Sequence, residues 1–139
     1  MKRIITLTLS LLLSSLSYSA LSIRDLDGDW SNGHEGVYDD VFDITWLRNA
    51  NYPGYMTCES AIAWASYFDV FGYSEWRLPS VGESPETGYD IISSEIGYMY
   101  YVYMGNVSNS PEPVNNNGGY VNPSTGEVVS FTNFGYPST

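Results

Sequence analysis

Few residues of this chain are of types that do chemistry. His34 and Cys58 are the only histidine and cysteine, so a Cys-His pair or a Ser-His-Asp triad would need His34 in every case. Gly33 and Gly36 flank this histidine and indicate a flexible loop, which positions a catalytic base poorly. One histidine and one cysteine are also too few for zinc, which takes three or four protein ligands. We therefore expect neither catalysis through His34 nor a zinc site.

Carboxylates are abundant, with 16 acidic residues in the chain. Asp25, Asp27 and Asp29 alternate beside Gly28, and calcium takes several oxygen ligands from a turning loop. The spacing is not that of an EF-hand, because no glutamate stands at the twelfth position. A solvated acidic turn is the simpler interpretation, and calcium is the one cofactor that this loop leaves open.

Further acidic residues raise two other hypotheses. Asp39, Asp40 and Asp43 could add ligands in space, although an Asp-Asp pair is also typical of a hairpin turn. A glycosidase needs two carboxylates facing each other across a cleft, and no motif specifies such a pair here. We therefore expect no enzymatic activity. A hydrolase with an unidentified carboxylate pair ranks third, below a recognition module and a structural or remnant fragment.

The start of the chain is typical of a secretory signal peptide. A basic N-terminus and an apolar stretch over residues 4–16 precede small residues that suit cleavage after Ser19. We expect residues 1–19 to be removed and residues 20–139 to form one exported domain, periplasmic or extracellular. The sequence after residue 19 predicts no membrane span.

Charge limits the classes of partner. The net charge is −11, and removal of the leader leaves three arginines against 16 acidic residues, or −13. Such a surface repels nucleic acid and anionic membranes, so we exclude both as partners. The single cysteine cannot form an intramolecular disulfide, so stability must come from the core.

Alternating apolar and polar residues predict the strands. A short strand begins at Leu21. Residues 37–38 and 41–47 flank Asp39 and Asp40, and the second of these segments alternates apolar and polar residues. This pattern predicts a β-hairpin with a two-residue turn. A last strand is predicted over residues 128–131.

Helical spacing of apolar residues predicts two short helices. Thr57 caps the first, which ends before Gly72. Its apolar face consists of Ala61, Trp64, Ala65 and Phe68. The second starts at Ser94 and Glu95 and ends at Gly105. Its apolar face consists of Ile96, Met99, Tyr100 and Tyr103. Residues 108–119 are rich in Ser, Pro, Asn and Gly, which predicts a loop.

The segment Trp76-Arg77-Leu78-Pro79 predicts a short strand. Trp76 and Leu78 would fill the core, and Pro79 would fix the turn that follows. We expect Arg77 to pair with a carboxylate in a structural role, because its planar fork matches a carboxylate.

Five blocks in this order resemble the Lcl C-terminal-like domain family, named after a bacterial collagen-like adhesin. They are residues 24–28 (RDLDG), 38–47 (YDDVFDITWL), 56–57 (MT), 72–79 (GYSEWRLP) and 94–97 (SEIG). The resemblance covers nearly all of the mature chain. It implies a C-type-lectin-like α+β fold, in which two helices pack on small antiparallel sheets with long loops, and no generally assigned reaction.

The C-terminal end departs from this family pattern. Members continue beyond residues 131–133 into a Trp-containing strand and close with an A-W-x-V-R strand, and this chain has neither. The resemblance therefore predicts a domain that is incomplete at its C-terminus. Uncovered sheet edges favour aggregation or completion by another chain. A truncated member and a naturally short one both stay open.

The leading functional hypothesis is a secreted, non-enzymatic module for recognition or adhesion, with an extracellular glycan or protein as partner. Exposed tyrosines can stack on sugar faces. The candidates are Tyr98, Tyr101, Tyr120 and Tyr136. The net charge argues against a sulfated glycosaminoglycan and favours a neutral glycan, a protein or a cation-bridged anion. The alternative is a structural or remnant fragment without a ligand. The sequence leaves the oligomeric state open.

Overall fold

The structure is a computed structural model, and it describes residues 20–83, 86–108 and 119–133. Small antiparallel sheets and two short helices give it the mixed α+β content that the sequence predicts. The predictions that concern residues 1–19, residues 109–118 and Tyr136 lie outside the described residues. In the described ranges, no helix has the length and apolar character needed to cross a bilayer.

Two antiparallel sheets contain all the strands of the described chain. The larger has the order β1-β2-β3, formed by Leu21–Arg24, Gly36–Asp39 and Ile44–Leu47. The smaller pairs β4 (Gly119–Val121) with β5 (Val128–Ser130). The predicted strands at Leu21 and at residues 128–131 are confirmed, the latter one residue shorter, whereas β4 was not predicted.

The turn between β2 and β3 is longer than predicted. Asp39 pairs with Ile44, so residues 40–43 form a four-residue turn, and the predicted two-residue turn is wrong. The cause is the Asp39 side chain, which points inward and accepts a hydrogen bond from the Val41 amide at 3.0 Å. Asp43 then takes a left-handed φ of 53° to bring the chain back into β3.

The first predicted helix is confirmed as α1 (Cys58–Tyr67). Thr57 Oγ1 accepts a hydrogen bond from the Ser60 amide at 3.2 Å, which satisfies one free N–H group at the helix start. Ala65 is buried on its inner face. The helix ends before Gly72, which has a φ of 83°.

The second helix, α2 (Glu95–Tyr98), continues directly into a π-helical segment, Met99–Tyr103. Ser94 Oγ accepts a hydrogen bond from the Gly97 amide at 3.0 Å. Glycine is required at position 97, because a Cβ there would lie 2.0 Å from the Ile91 carbonyl oxygen. The predicted N-terminal cap is therefore confirmed.

The apolar face predicted for this second helix is only partly buried. Met99 and Tyr103 belong to the core, whereas Ile96 is exposed. A π-helical segment changes the angular step between residues, so one straight stripe cannot bury all four predicted positions. Gly105, with a φ of 64°, follows the segment as predicted.

Residues 74–80 form no strand, so the strand predicted around Trp76 is wrong. Nor does a turn follow Pro79 directly. Side-chain bonds hold this segment instead of a ladder, since the Trp76 Nε1–H donates to the Tyr73 carbonyl at 2.7 Å. Trp76 and Leu78 are half-buried and do not belong to the core.

The core lies between the inner face of the larger sheet, the π-helical segment and β5. Its members are buried apolar side chains: Leu21, Val37, Met99, Tyr103, Met104, Val129 and Phe131. The Asn122 side chain donates to the Leu21 carbonyl at 2.9 Å, and Glu127 Oε2 accepts from the Ile23 amide at 3.0 Å. These bonds cover the outer edge of β1 and leave β3 as the other edge of the sheet.

Candidate functional site

A cleft with a volume of about 830 Å³ lies along the outer edge of β3. Trp46 and Leu47 are neighbours on β3 and point to opposite faces of the sheet, yet both line the cleft. The cleft therefore follows the edge of the strand. Its other walls are α1, the loop of residues 49–56 and the segment of residues 72–79.

Several aromatic side chains line these walls. They come from β3, the 49–56 loop, α1, the segment before Arg77 and the residue after β5: Trp46, Tyr52, Tyr55, Trp64, Tyr73, Trp76 and Phe131. Tyr55 is 77% exposed, Tyr52 is 52% exposed and Tyr73 is 50% exposed. The cleft thus presents aromatic rings to solvent at its rim.

Phe68 packs against three of these rings. Its ring centroid lies 4.3 Å from that of Trp64, 5.8 Å from that of Trp76 and 5.2 Å from that of Tyr52. Trp76 is further fixed by its hydrogen bond to the Tyr73 carbonyl. Rings that are already held in one geometry lose little conformational entropy when a ligand binds.

Polar groups are interspersed among the rings. The neutral ones are the side chains of Thr45, Asn49, Asn51 and Ser74, and the acidic ones are Asp43, Glu75 and Glu95. Among the residues lining the cleft, Arg77 is the one cation. Its NH1 donates to Glu95 Oε2 at 2.7 Å and its NH2 to Glu95 Oε1 at 2.6 Å. The predicted pairing of Arg77 with a carboxylate is confirmed, and this pairing leaves little of its charge for a ligand.

Glu95 is the buried end of this ion pair. It also accepts a hydrogen bond from the Ser80 amide at 2.6 Å. The hydrogen bond from the Arg77 guanidinium lowers the pKa of Glu95 below its ordinary value of 4.5, against the opposing effect of burial. A carboxylate that is stabilised in its ionised form makes a poor general acid.

The backbone of β3 adds polar groups at the cleft. Arg48 N donates to Glu35 O at 2.8 Å, and bonded positions alternate along an antiparallel pair. Trp46 therefore bonds to β2, while Thr45 and Leu47 turn their N–H and C=O groups away from it. In the part of the chain that the structure describes, no further strand lies beside this edge.

The structure places three of the predicted sugar-stacking tyrosines, Tyr98, Tyr101 and Tyr120, away from the cleft. Tyr98 and Tyr120 are half-buried and pack against the core, and Tyr101 makes an edge contact with Tyr100 at 4.9 Å. Sequence reasoning missed Tyr52, Tyr55 and Tyr73. The signal for the first two was the Pro53-Gly54 loop, where aromatic residues have no strand or helix face to bury them. These positions, and not the helix, supply the exposed rings.

The acidic loop gathers a different set of carboxylates from the one predicted. Oxygen atoms of Asp25, Asp27 and Glu35 lie within 4.8 Å of one another, whereas Asp29 bonds to Ser31 instead. Asp25 Oδ1 accepts from the Gly28 amide at 2.9 Å.

Further hydrogen bonds occupy this cluster. The Asn32 side chain donates to Asp27 at 2.9 Å and lowers the pKa of Asp27 below its ordinary value of 3.8. Glu35 Oε2 accepts from the Leu26 amide at 3.0 Å. These bonds are those of an acidic turn that is stabilised by its own backbone.

The predicted companion acids are dispersed. Asp39 is fully buried and accepts hydrogen bonds from the Tyr103 hydroxyl at 2.8 Å and from Trp46 Nε1 at 3.1 Å. Asp40 accepts from the Ala20 amide at 2.7 Å, and Asp43 accepts from the Tyr38 hydroxyl. Their roles are structural, and they do not join the acidic loop as metal ligands.

His34 and Cys58 occupy separate places. Cys58 is exposed at the start of α1, and His34 lines a smaller recess beside the cleft. Burial lowers the pKa of His34 below its ordinary value of 6.5, and the positive charge of Arg48 lowers it further. Cys58 lines neither space, so the described chain does not bring Cys58 and His34 together.

No family model, curated protein or solved structure matches this chain. The resemblance to the Lcl C-terminal-like family therefore stays a prediction from the five sequence blocks. The chemistry of the cleft is the basis on which a function can be argued.

Proposed function

We propose that this protein is a non-enzymatic recognition module whose aromatic cleft binds a neutral segment of a glycan. The observation that carries the proposal is the combination of aromatic rings, three of them packed against Phe68, and neutral polar groups in one cleft. A pyranose presents C–H patches that pack on aromatic faces, and its hydroxyls bond to amides and carboxylates. The volume of about 830 Å³ falls within the usual range of ligand pockets, roughly 300–1,000 Å³.

The charges of the cleft support a neutral ligand segment. Asp43, Glu75 and Glu95 all contribute negative charge, and Arg77 is committed to Glu95. A polyanionic chain would meet these carboxylates and a net charge of −11. Neutral sugars carry no such penalty, and carboxylates are good acceptors for their hydroxyls.

The same carboxylates give little support to a hydrolase. Asp43 accepts from the Tyr38 hydroxyl at 2.9 Å, and Glu95 is held by Arg77. Glu75 is the one cleft carboxylate without a hydrogen bond to the described residues. A glycosidase needs a proton-donating acid and a second carboxylate across the bond that is cleaved. Binding without cleavage is the better-supported function.

Export and family membership are part of the proposal. The pattern of residues 1–19 supports export to the periplasm or the extracellular space. The five sequence blocks and the mixed α+β content support membership of the Lcl C-terminal-like family, with a C-type-lectin-like arrangement. Fold alone assigns no ligand, so the cleft carries the functional argument.

A glycan-array screen of the purified monomer, with and without calcium, tests the proposal. Neutral oligosaccharides found in the screen are then measured by calorimetry with Tyr55→Ala and Tyr73→Ala. Each variant should weaken binding by about tenfold, because it removes one exposed ring face. Tyr67→Ala is the matched control, since Tyr67 is 90% exposed on α1 and does not line the cleft.

The other outcomes are equally informative. No binding to any glycan on the array would contradict the proposal and favour a structural or remnant protein. Equal weakening by Tyr67→Ala would move the site away from the cleft. Release of shorter sugars during incubation would instead support the hydrolase.

A further inference from the structure

A second recess, with a volume of about 260 Å³, adjoins the aromatic cleft. Leu47, Asn49 and Tyr52 line both, so they form the boundary between the two spaces. His34 and Arg48 line only the smaller recess. A ligand in the cleft would therefore lie next to a recess that holds one cation, Arg48, and one carboxylate, Glu35.

Arg48 is an arginine whose charged end is not paired. Its Nε donates to the Ser130 carbonyl at 3.2 Å, which fixes the plane of the guanidinium. NH1 lies against Gly33, 3.9 Å from where a Cβ would stand. Neither NH1 nor NH2 has a hydrogen-bond partner among the described residues, in contrast to Arg77, whose terminal nitrogens both bond to Glu95.

His34 contributes a second group without a partner. Its Nε2 is buried and hydrogen-bonds to nothing in the described chain. A buried polar atom of this kind is costly unless something binds it. Its lowered pKa leaves the imidazole neutral near pH 7, so one ring N–H can be donated to an acceptor.

The nearby acids do not neutralise Arg48 by direct contact. Glu35 Oε2 accepts from the Leu26 amide at 3.0 Å, and Glu127 Oε2 accepts from the Ile23 amide at 3.0 Å. Each carboxylate is thus directed to the backbone of β1 or of the loop that follows. Neither forms an ion pair with Arg48 within the described ranges.

We propose that this recess binds one carboxylate of an acidic sugar, of the uronic acid class, beside the neutral segment in the cleft. The assignment of a sugar rests on the function proposed for the adjoining cleft. A planar carboxylate can accept two parallel N–H bonds from NH1 and NH2 of Arg48. A single carboxylate in an otherwise neutral glycan also avoids the repulsion that a polyanion meets.

Calorimetry with two matched oligosaccharides tests this site. They differ only in their terminal residue, glucuronate in one and glucose in the other. The wild-type protein should prefer the glucuronate form by about tenfold, the scale of one charge-assisted bidentate contact. Arg48→Gln should abolish the preference and keep the affinity for the glucose form.

Arg24→Gln is the control, because Arg24 lies over the Tyr38 ring and lines neither space. The Arg24→Gln variant should keep the preference for the glucuronate form. Equal affinity of the wild-type protein for both oligosaccharides would overturn the proposal. If a terminal glucose 6-sulfate raised the affinity as much as a terminal glucuronate does, the assignment of a carboxylate would be overturned.

A measurement on the wild-type protein covers the case in which Arg48→Gln does not fold. The single histidine gives one set of imidazole signals in an NMR spectrum. Free glucuronate should shift these signals and raise the pKa of His34, because an anion beside the ring favours its charged form. Unchanged signals at saturating glucuronate would contradict the site.

The two proposals fail in different ways. If no neutral oligosaccharide binds but glucuronate shifts the His34 signals, the cleft proposal fails and the anion site stands. If neutral oligosaccharides bind and glucuronate adds nothing, the anion site fails and the cleft stands. Tyr73→Ala should weaken the binding of neutral oligosaccharides and leave the response of the His34 signals to free glucuronate intact.

Discussion

Arg77 and Glu95 form a bidentate ion pair that joins the irregular segment of residues 72–79 to the start of α2. Their nitrogen and oxygen atoms lie 2.6 and 2.7 Å apart, and the Ser80 amide adds a third bond to the same carboxylate. Glu95 is buried, while about half of the Arg77 side chain is exposed. This pair takes the place of a strand ladder in holding one wall of the cleft.

Loss of this pair should destabilise the fold. Glu95→Gln removes the charge and leaves Arg77 partly desolvated, so we expect the free energy of unfolding to fall by about 1–3 kcal/mol. Urea denaturation followed by tryptophan fluorescence measures it. Glu59→Gln, at an exposed position on α1, should change stability by less than about 0.5 kcal/mol. Equal effects of the two variants would mean that the pair does not hold the wall.

The ion pair also predicts how stability depends on pH. The pKa of Glu95 lies below 4.5 in the folded protein. As the pH falls, the Glu95 carboxylate is therefore protonated in the unfolded chain before it is protonated in the folded protein. The contribution is complete above about pH 4.5 and is lost as the pH falls through the folded pKa. Denaturation between pH 3 and pH 7 should show that Glu95→Gln loses less stability than the wild type on acidification. Parallel curves would contradict this.

Asp39 should be far more important for stability than its neighbour Asp40. Asp39→Ala removes the buried acceptor of Tyr103, Trp46 and Val41, and we expect a loss of about 2–4 kcal/mol. Asp40→Ala removes one exposed bond to the Ala20 amide, at a cost of about 1 kcal/mol or less. Thermal denaturation of both variants measures the difference, and similar melting temperatures would contradict the assigned roles.

Local patterns were sufficient for much of the fold. The cap at Thr57, the cap at Ser94 and the partner class of Arg77 depend on neighbouring residues or on a strong chemical preference, and the structure has all three. The errors arose where tertiary contacts decide. Asp39 was expected at an exposed turn, but its contact with Tyr103, 64 positions away in sequence, draws it into the core.

The cleft was harder to predict than the helices. Its walls come from β3, the 49–56 loop, α1 and residues 72–79, and no periodicity links segments so far apart. Tyr52, Tyr55 and Tyr73 lie in irregular segments, where spacing does not indicate which side chains are exposed. Glu35 similarly joined Asp25 and Asp27 through the fold, in place of Asp29, which the alternation suggested.

The pKa of His34 provides a test of its surroundings. Burial and then Arg48 lower it below 6.5, so an NMR titration should give a value under the ordinary one. Arg48→Gln should raise it, since a repelling charge is removed. The unfolded chain binds this proton more readily, so stability should fall as the pH drops from about 6.5 toward the folded pKa. A pKa at or above 6.5 in the wild-type protein would show that the ring is solvated.

Fluorine NMR of the protein labelled with 5-fluorotryptophan would locate the ligand. Trp46, Trp64 and Trp76 line the cleft, whereas Trp30 is 63% exposed outside it and serves as an internal control. Titration with a neutral oligosaccharide from the array should shift the signals of Trp64 and Trp76 and leave that of Trp30 in place. Binding that shifts only Trp30, or none of the four signals, would contradict a glycan site in the aromatic cleft.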